Sequence, residues 1–225
     1  MSFDSDSAPY RDVPFPLVAY LLILAVGLGV VLLQVVVLLA SKVRIEEFHF
    51  FFGQPLATFD LGSVQLKLGW IPMGFSLKYD NHQFALLPTA GRVALHLVSV
   101  VILLGLGFSL LGPGGGWHHF VTGFRQMVEG VLHPQTVGYV LMEKLHALYR
   151  QSPVAMVGVI CMKWVAWSLL PIGYAMGPAL HQIFSPSLRP REHVEKFISL
   201  GMLVGFLATM VWVGIFAVYA VKHWA

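Results

Sequence analysis

The chain has 225 residues, of which 57% are hydrophobic and only 11% charged, with a mean hydropathy of +0.75. So apolar a composition describes a polytopic membrane protein and excludes a soluble domain with a large core, whose surface would need more charge. The pI near 9.1 comes from 14 basic residues spread through loops without a basic run, which fits membrane orientation and argues against a nucleic-acid partner.

The first 15 residues, MSFDSDSAPYRDVPF, are acidic and polar where a secretory signal would be basic, and the apolar run after them is too long for a signal core. The first helix is therefore expected to be retained. Val13 to Ser41 holds 29 residues without a charge, so a first transmembrane helix is predicted over about 14–41. Its polar side chain Gln34 is expected to hydrogen-bond a neighbouring helix.

Residues 43–80 alternate apolar and polar side chains between glycines and prolines, as in SVQLKLGW and FSLKY, and predict short β-strands and hairpins. Phe48, Phe50, Phe51, Phe52, Trp70 and Phe75 make this stretch too aromatic for a solvated loop. It reads as a β-sheet that lies at, or dips into, the membrane interface. A second span is predicted over 93–111, ended by the breaker GPGGG. Two amphipathic helices, FVTGFRQMVEGVL and TVGYVLMEKLHALYR, follow within 118–150 and are expected to lie along the opposite interface.

A third span is predicted over about 154–184 and a fourth over 197–221, joined by the basic turn SPSLRPREHVEK. The fold class is thus mainly α: four transmembrane helices, with a membrane-associated β-sheet between the first and second. Four spans leave both termini on one side. Lys42, Arg44, Lys67, Lys78, Arg92, Arg189, Arg191 and Lys196 follow the first and third spans, against Arg11, Arg125, Lys144, Arg150 and Lys222 on the other side. By the positive-inside rule the sheet and the basic turn are cytoplasmic and both termini outside, with a bacterial inner membrane the expected location.

The third span is unusual because it contains Lys163, Pro171 and several glycines. Lys163 lies roughly ten residues into the span, about 15 Å deep, where an unpaired ammonium costs on the order of 3 kcal/mol. It either meets a partner charge or ion pathway, or snorkels towards Gln151 and Ser152. No acid lies within any predicted span, so a deep Lys163 needs a backbone carbonyl, a water or another protein.

The order of these features resembles the site-2 protease family of intramembrane zinc metalloproteases, in its compact form without a PDZ insertion. VRIEEFHFFFGQPLATFDLGSVQLKLGWIPMGF is similar to the family segment that runs from a Val-Glu-Glu-Phe-like start through Gly-Phe-Gly-Pro into a sheet ending in Ile-Pro-Leu-Gly-Gly. FVTGFRQMVEG resembles the amphipathic segment before the family's third helix, and SLLPIGYAMGPAL resembles its Asn-Leu-Leu-Pro-Ile-Pro-x-Leu-Asp-Gly-Gly motif. The resemblance implies a membrane-immersed sheet, a broken third helix and a cleft between them that receives a substrate helix.

It also implies a zinc site that this chain lacks. Family members hold zinc through His-Glu-x-x-His on the first helix and an aspartate from the third. The first motif would fall near Val30 to Gln34, where there is no histidine or acid, and the aspartate falls on Met176. The family asparagine falls on Ser168, its second proline on Tyr174 or Gly173, and its second glycine on Pro178. Valine, glutamine and methionine cannot replace two imidazoles and a carboxylate on a zinc ion.

The chain is therefore read as a non-proteolytic relative, without metal or cofactor, that binds the transmembrane segment of another integral membrane protein. Lipid is its other partner. The candidate partner-binding or buried polar residues are Gln34, Lys163, Ser168, Tyr174, Met176 and the edge strand around Gly69, Trp70 and Gly74. Two alternatives belong to other classes. One is an active metalloprotease with displaced ligands. The other is an electron-transfer subunit holding haem or quinone through His96 and His181. Glu143-Lys-Leu-His146 has the spacing of di-iron helices, but it occurs only once where such sites need two. Cys161, the single cysteine, permits neither an intramolecular disulfide nor a cysteine-based zinc site.

Overall fold

A computed structural model describes residues 13–170, residue 183 and residues 192–223. Pro14 and Pro16 open the first helix, α1 (Phe15–Ala40), where missing N–H groups cost nothing because no carbonyl precedes them. Its 26 residues give a length of about 39 Å. It ends where Lys42 takes a positive φ of 57° and turns the chain into a strand. Phe15, Ala19, Gly27, Val31 and Leu38 form its buried stripe, while Leu21, Leu32, Val36 and Leu39 stay exposed. Apolar side chains on the outer face of a helix this long match a lipid solvent.

Two long strands follow, β1 (Ile45–Leu61) and β2 (Val64–Tyr79), joined by a turn at Gly62 and Ser63. Both bend, so the two strands fill four adjacent positions. Residues 57–61 pair with 64–68, residues 65–68 lie beside 47–50, and 47–50 pair in the antiparallel sense with 75–78. The bends need unusual backbone: Phe51, Gly53 and Gly74 all have positive φ. A side chain at Gly69 would collide with the carbonyls of Phe51 and Phe52. Alternation puts Glu47, His49, Lys67 and Lys78 on one face, and Phe48, Phe50, Leu66, Phe75 and Leu77 on the other.

The sheet lies lengthwise on α1. Val43 and Ile45 pack with Leu38 near the end of α1, Phe75 lies against Gly27 at its midpoint, and the Tyr20 hydroxyl donates to the carbonyl of Pro72. From Ala40 back to Tyr20 is about 30 Å along the helix, so the sheet covers most of the length of α1. Its charged residues sit near the end of α1 and its apolar bend, Trp70 to Phe75, sits deepest along α1.

After the short α2 (Asn81–Ala85), capped by the Asp80 carboxylate on the N–H groups of His82 and Gln83 at 2.9 and 3.0 Å, comes α3 (Thr89–Leu132). The predicted break is present but smaller than GPGGG suggests. Only Gly112, with φ 71° and ψ 166°, leaves the helical region, because Pro113 disfavours helix at the residue before it and is itself accepted in the first turn of the next arm. Gly114, Gly115 and Gly116 are helical. α3 is therefore two arms, 89–111 and 113–132, and the second arm contains the stretch predicted as the first interfacial helix. A π-helical turn, Pro134–Gly138, leads into the amphipathic α4 (Tyr139–Gln151).

Helix α5 (Pro153–Leu169) starts on a Ser152 cap, whose hydroxyl accepts from the Ala155 N–H at 3.2 Å. Met156, Cys161, Met162, Val165 and Ala166 on it are all 0% exposed. It ends at Leu170, which is extended (φ −61°, ψ 134°) as the residue before Pro171 must be. Of the predicted third span, 154–184, the structure describes 154–170 and residue 183, and the rest lies outside the described residues. The helix has 17 residues, about 26 Å, short of the roughly 30 Å of a bilayer core. The last helix, α6 (Glu192–His223), contains the predicted fourth span.

Three helices among the described residues are long and apolar enough to cross a membrane, where four were predicted: Phe15–Ala40, Thr89–Leu132 and Glu195–His223. The start of α1 and the end of α6 lie together, with the Phe15 and Tyr219 rings 5.8 Å apart. Met156, near the start of α5, packs at the same level, and Trp164 lies against Gly27 halfway along α1. α5 therefore runs beside α1 from its start to past its midpoint.

Glycines let α5 approach α3. Met162 sits in the angle between the two arms, against Gly107 and Gly116, while Ala166 lies over Gly123 and Leu111 over Gly158. A Cβ at Gly123 would be 2.9 Å from that of Ala166, so Gly123→Leu forces the arm off α5. Overpacking of this kind costs about 1–3 kcal/mol. We expect Gly123→Leu to melt several degrees lower in detergent by circular dichroism, and Gly105→Leu, which meets nothing within 4 Å, to melt like the parent.

Candidate partner-binding site

Lys163 leaves α5 on the side that faces the second arm of α3. His119, Gly123 and Gln126 line that side of the arm at helical spacing of four and three residues. Because Gly123 has no side chain, the Lys163 stem lies over the arm's backbone, and a Cβ at Gly123 would be 3.7 Å from its Cδ. The ammonium donates to the side-chain Oε1 of Gln126. His119 is within electrostatic reach of it. Lys163, His119 and Gln126 are all half-buried.

The contact of Trp164 with the midpoint of α1 fixes Lys163 at about the middle of that 26-residue apolar helix. This favours the deep placement over snorkelling towards Ser152. The sequence left a carbonyl, a water or another protein as its partner; the structure supplies an amide side chain. Gln126 escaped notice because it falls in the stretch predicted as interfacial. The signal that could have found it is the one-face spacing of 119, 123 and 126 around a glycine.

The other candidates are not gathered around Lys163. Gln34 is half-buried, with no hydrogen-bond partner among the described residues, so the predicted interhelical bond is not made there. Ser168 is half-buried in the last turn of α5. Tyr174, Met176 and His181 lie outside the described residues. Gly69, Trp70 and Gly74 occupy the bend of β2, where Gly69 and Ile71 pair with Pro55 and Phe52, and Trp70 is 60% exposed. His96 lies edge-on to Phe84 at 6.3 Å, near the start of α3.

Positions where the site-2 protease resemblance would place metal ligands are used for packing. Val30 joins the cluster of Leu103, Cys161 and Val165, and Val31 is buried. His146 of the Glu-x-x-His spacing stacks on Phe15 at 4.5 Å and shares a 2.7 Å hydrogen bond with the Tyr219 hydroxyl, tying α4 to α1 and α6 where they meet. Burial lowers its pKa, with Arg150 and His223 adding to the effect. Among the described residues no three His, Cys, Asp or Glu side chains converge to hold a metal ion.

A second polar centre lies on the charged face of the sheet. The Glu47 carboxylate accepts from Lys67 at 2.5 Å and Lys78 at 3.0 Å, and shares a 2.8 Å contact with His49. These partners, Lys67 first, then His49 and Lys78, hold its pKa down to about 2.

No family model, curated protein or solved structure matches this chain. The likeness to the site-2 protease family therefore rests on the motifs themselves.

Two predictions follow from these contacts. Gln126→Leu leaves the Lys163 ammonium without its acceptor and is expected to cost about 1–3 kcal/mol, while Lys163→Met made in the same chain should restore most of the loss. Thermal unfolding of the two single variants and the double variant reads this cycle. For Glu47, folding lowers the pKa, so its stabilising contribution is complete above the ordinary carboxyl value of 4.5 and fades as pH falls towards 2. Glu47→Gln should therefore melt below the parent at pH 7, and the gap should close as the pH is taken below 4.

Proposed function

We propose that this chain is a non-proteolytic, site-2-protease-like membrane subunit that binds or scaffolds the transmembrane segment of a partner protein. The observation that carries the reading is Lys163, a cation halfway along the apolar bundle whose hydrogen-bond partner among the described residues is a neutral amide. A side chain so costly at that level points to a use, and a protein partner within the membrane is the use it fits. The lipid-level outer face supports it further. α6 holds Phe197, Leu200, Leu203 and Leu207 largely exposed over its first half, leaving room beside the bundle for another helix.

The resemblance supplies a place for the partner, the cleft between the sheet and the broken third helix, where Ser168, Tyr174, Met176 and the bend at Gly69 to Gly74 would meet it. Apolar packing at Val30 and Val31, in place of zinc ligands, supports a binding role over proteolysis. The membrane is proposed to be a bacterial inner membrane with both termini outside. The excess of basic residues after the first and third spans supports this, as does the meeting of Phe15 with Tyr219.

Extraction from the native membrane in mild detergent tests the proposal. We expect size-exclusion chromatography and mass spectrometry to give a particle in which the 24.9 kDa chain is accompanied by a second membrane protein at fixed ratio, without zinc. A chain that runs alone with one zinc per polypeptide would overturn it and restore the protease.

A further inference from the structure

The chemistry of Lys163 also specifies what its partner carries. We infer that the partner's membrane segment bears an aspartate or glutamate at the level of the bilayer midplane, and that this carboxylate pairs with Lys163 beside Gln126 and His119. The inference rests on the partner-binding reading. An ammonium offers three N–H donors, and Gln126 takes one of them. A neutral amide can accept a hydrogen bond but cannot balance a charge.

The chain itself has little to offer for that balance. Its sequence has no Asp or Glu in residues 13–45, 81–128 or 144–191, which include all of α1, α5 and the first arm of α3. Glu129, the acid on the second arm, faces Arg125 at 3.5 Å, one turn away on its own helix. On the sheet, Glu47 is held by Lys67 and Lys78 and Glu46 by Lys78 near the end of α1, and Asp60 pairs across the ladder with Gln65, the neighbour of Glu47.

Position selects the source of the negative charge. Lys163 follows Trp164's level, and Trp164 touches the middle of α1, so a lipid phosphate at the interface would lie about 15 Å away. A carboxylate on a neighbouring helix can be placed at that depth, and its two oxygens suit the arrangement. One accepts from Lys163, and the other can accept an N–H of the His119 ring. Lys163, Gln126 and His119 are half-buried, which leaves the cluster open to an approaching side chain.

The test is a lipid-soluble carbodiimide, dicyclohexylcarbodiimide, applied to native membranes. The carboxyl adds to the reagent as an O-acylisourea, the Lys163 amine attacks its acyl carbon, an amide forms and dicyclohexylurea leaves. The joined pair has lost one water. Mass spectrometry of the digested membranes is expected to find Lys163 linked to an acidic residue within an apolar segment of another protein. The Lys67 to Glu47 pair, 2.5 Å apart in this chain, serves as an internal control for the same reaction.

Detergent extracts of Lys163→Met should retain the partner about tenfold less or worse, and those of Lys163→Arg should retain it. Circular dichroism should show both variants folded. A link from Lys163 to Asp4, Asp6 or Asp12 of this chain overturns the inference, as does the internal link without one at Lys163. If the partner stays bound to Lys163→Met, the carboxylate pairing fails and the partner reading stands. If the parent chain runs alone, both fail.

Discussion

The close approach of α5 to α3 is the contact on which the rest of the structure depends. α5 is the most enclosed of the described helices, and it is enclosed because Gly107, Gly116 and Gly123 remove side chains where Met162 and Ala166 need space. In a lipid solvent there is no hydrophobic gain from bringing two apolar helices together. Association comes from packing contacts and polar bonds, and small residues bring the backbones close enough for both. The break at Gly112 gives α3 two directions, so that Met162 can be held from two sides.

That packing also sets the chemistry. With Gly123 beneath it, the Lys163 stem follows the arm to Gln126 instead of turning towards the interface. A larger residue at 123 would remove the path and the hydrogen bond together. The two polar centres differ in kind. On the sheet, Glu47 and Lys67 neutralise one another near the end of α1, whereas in the bundle the partner of the Lys163 cation among the described residues is the Gln126 dipole. The first is a closed structural network. The second sets a cation against a neutral amide.

The sheet obeys a related constraint. Backbone N–H and C=O groups that run past the level of an interface have no water to satisfy them, so they must be paired within the protein. The double register of 47–50 pairs that segment on both sides, and the Tyr20 hydroxyl takes up the carbonyl of Pro72 at the deepest part of the bend. The charged side chains lie near the end of α1 and the bend from Trp70 to Phe75 carries none, which lets an amphipathic sheet lie along an apolar helix.

Much of this was legible in the chain itself. Unbroken apolar runs give α1 and α6, because a helix that satisfies its own backbone needs only length and apolar side chains. Alternation and glycines give the strands, since each acts on its immediate neighbours. The absence of histidine or acid from Val13 to Ser41 is likewise a fact of sequence alone. Tertiary structure decided what depends on distant residues meeting. It continued the helix through Gly114 to Gly116, left Gln34 without a partner among the described residues, and brought Gln126 to Lys163 across 37 positions. A pairing between side chains on two helices is set by how those helices pack, and no local pattern in either helix records which face the other will meet.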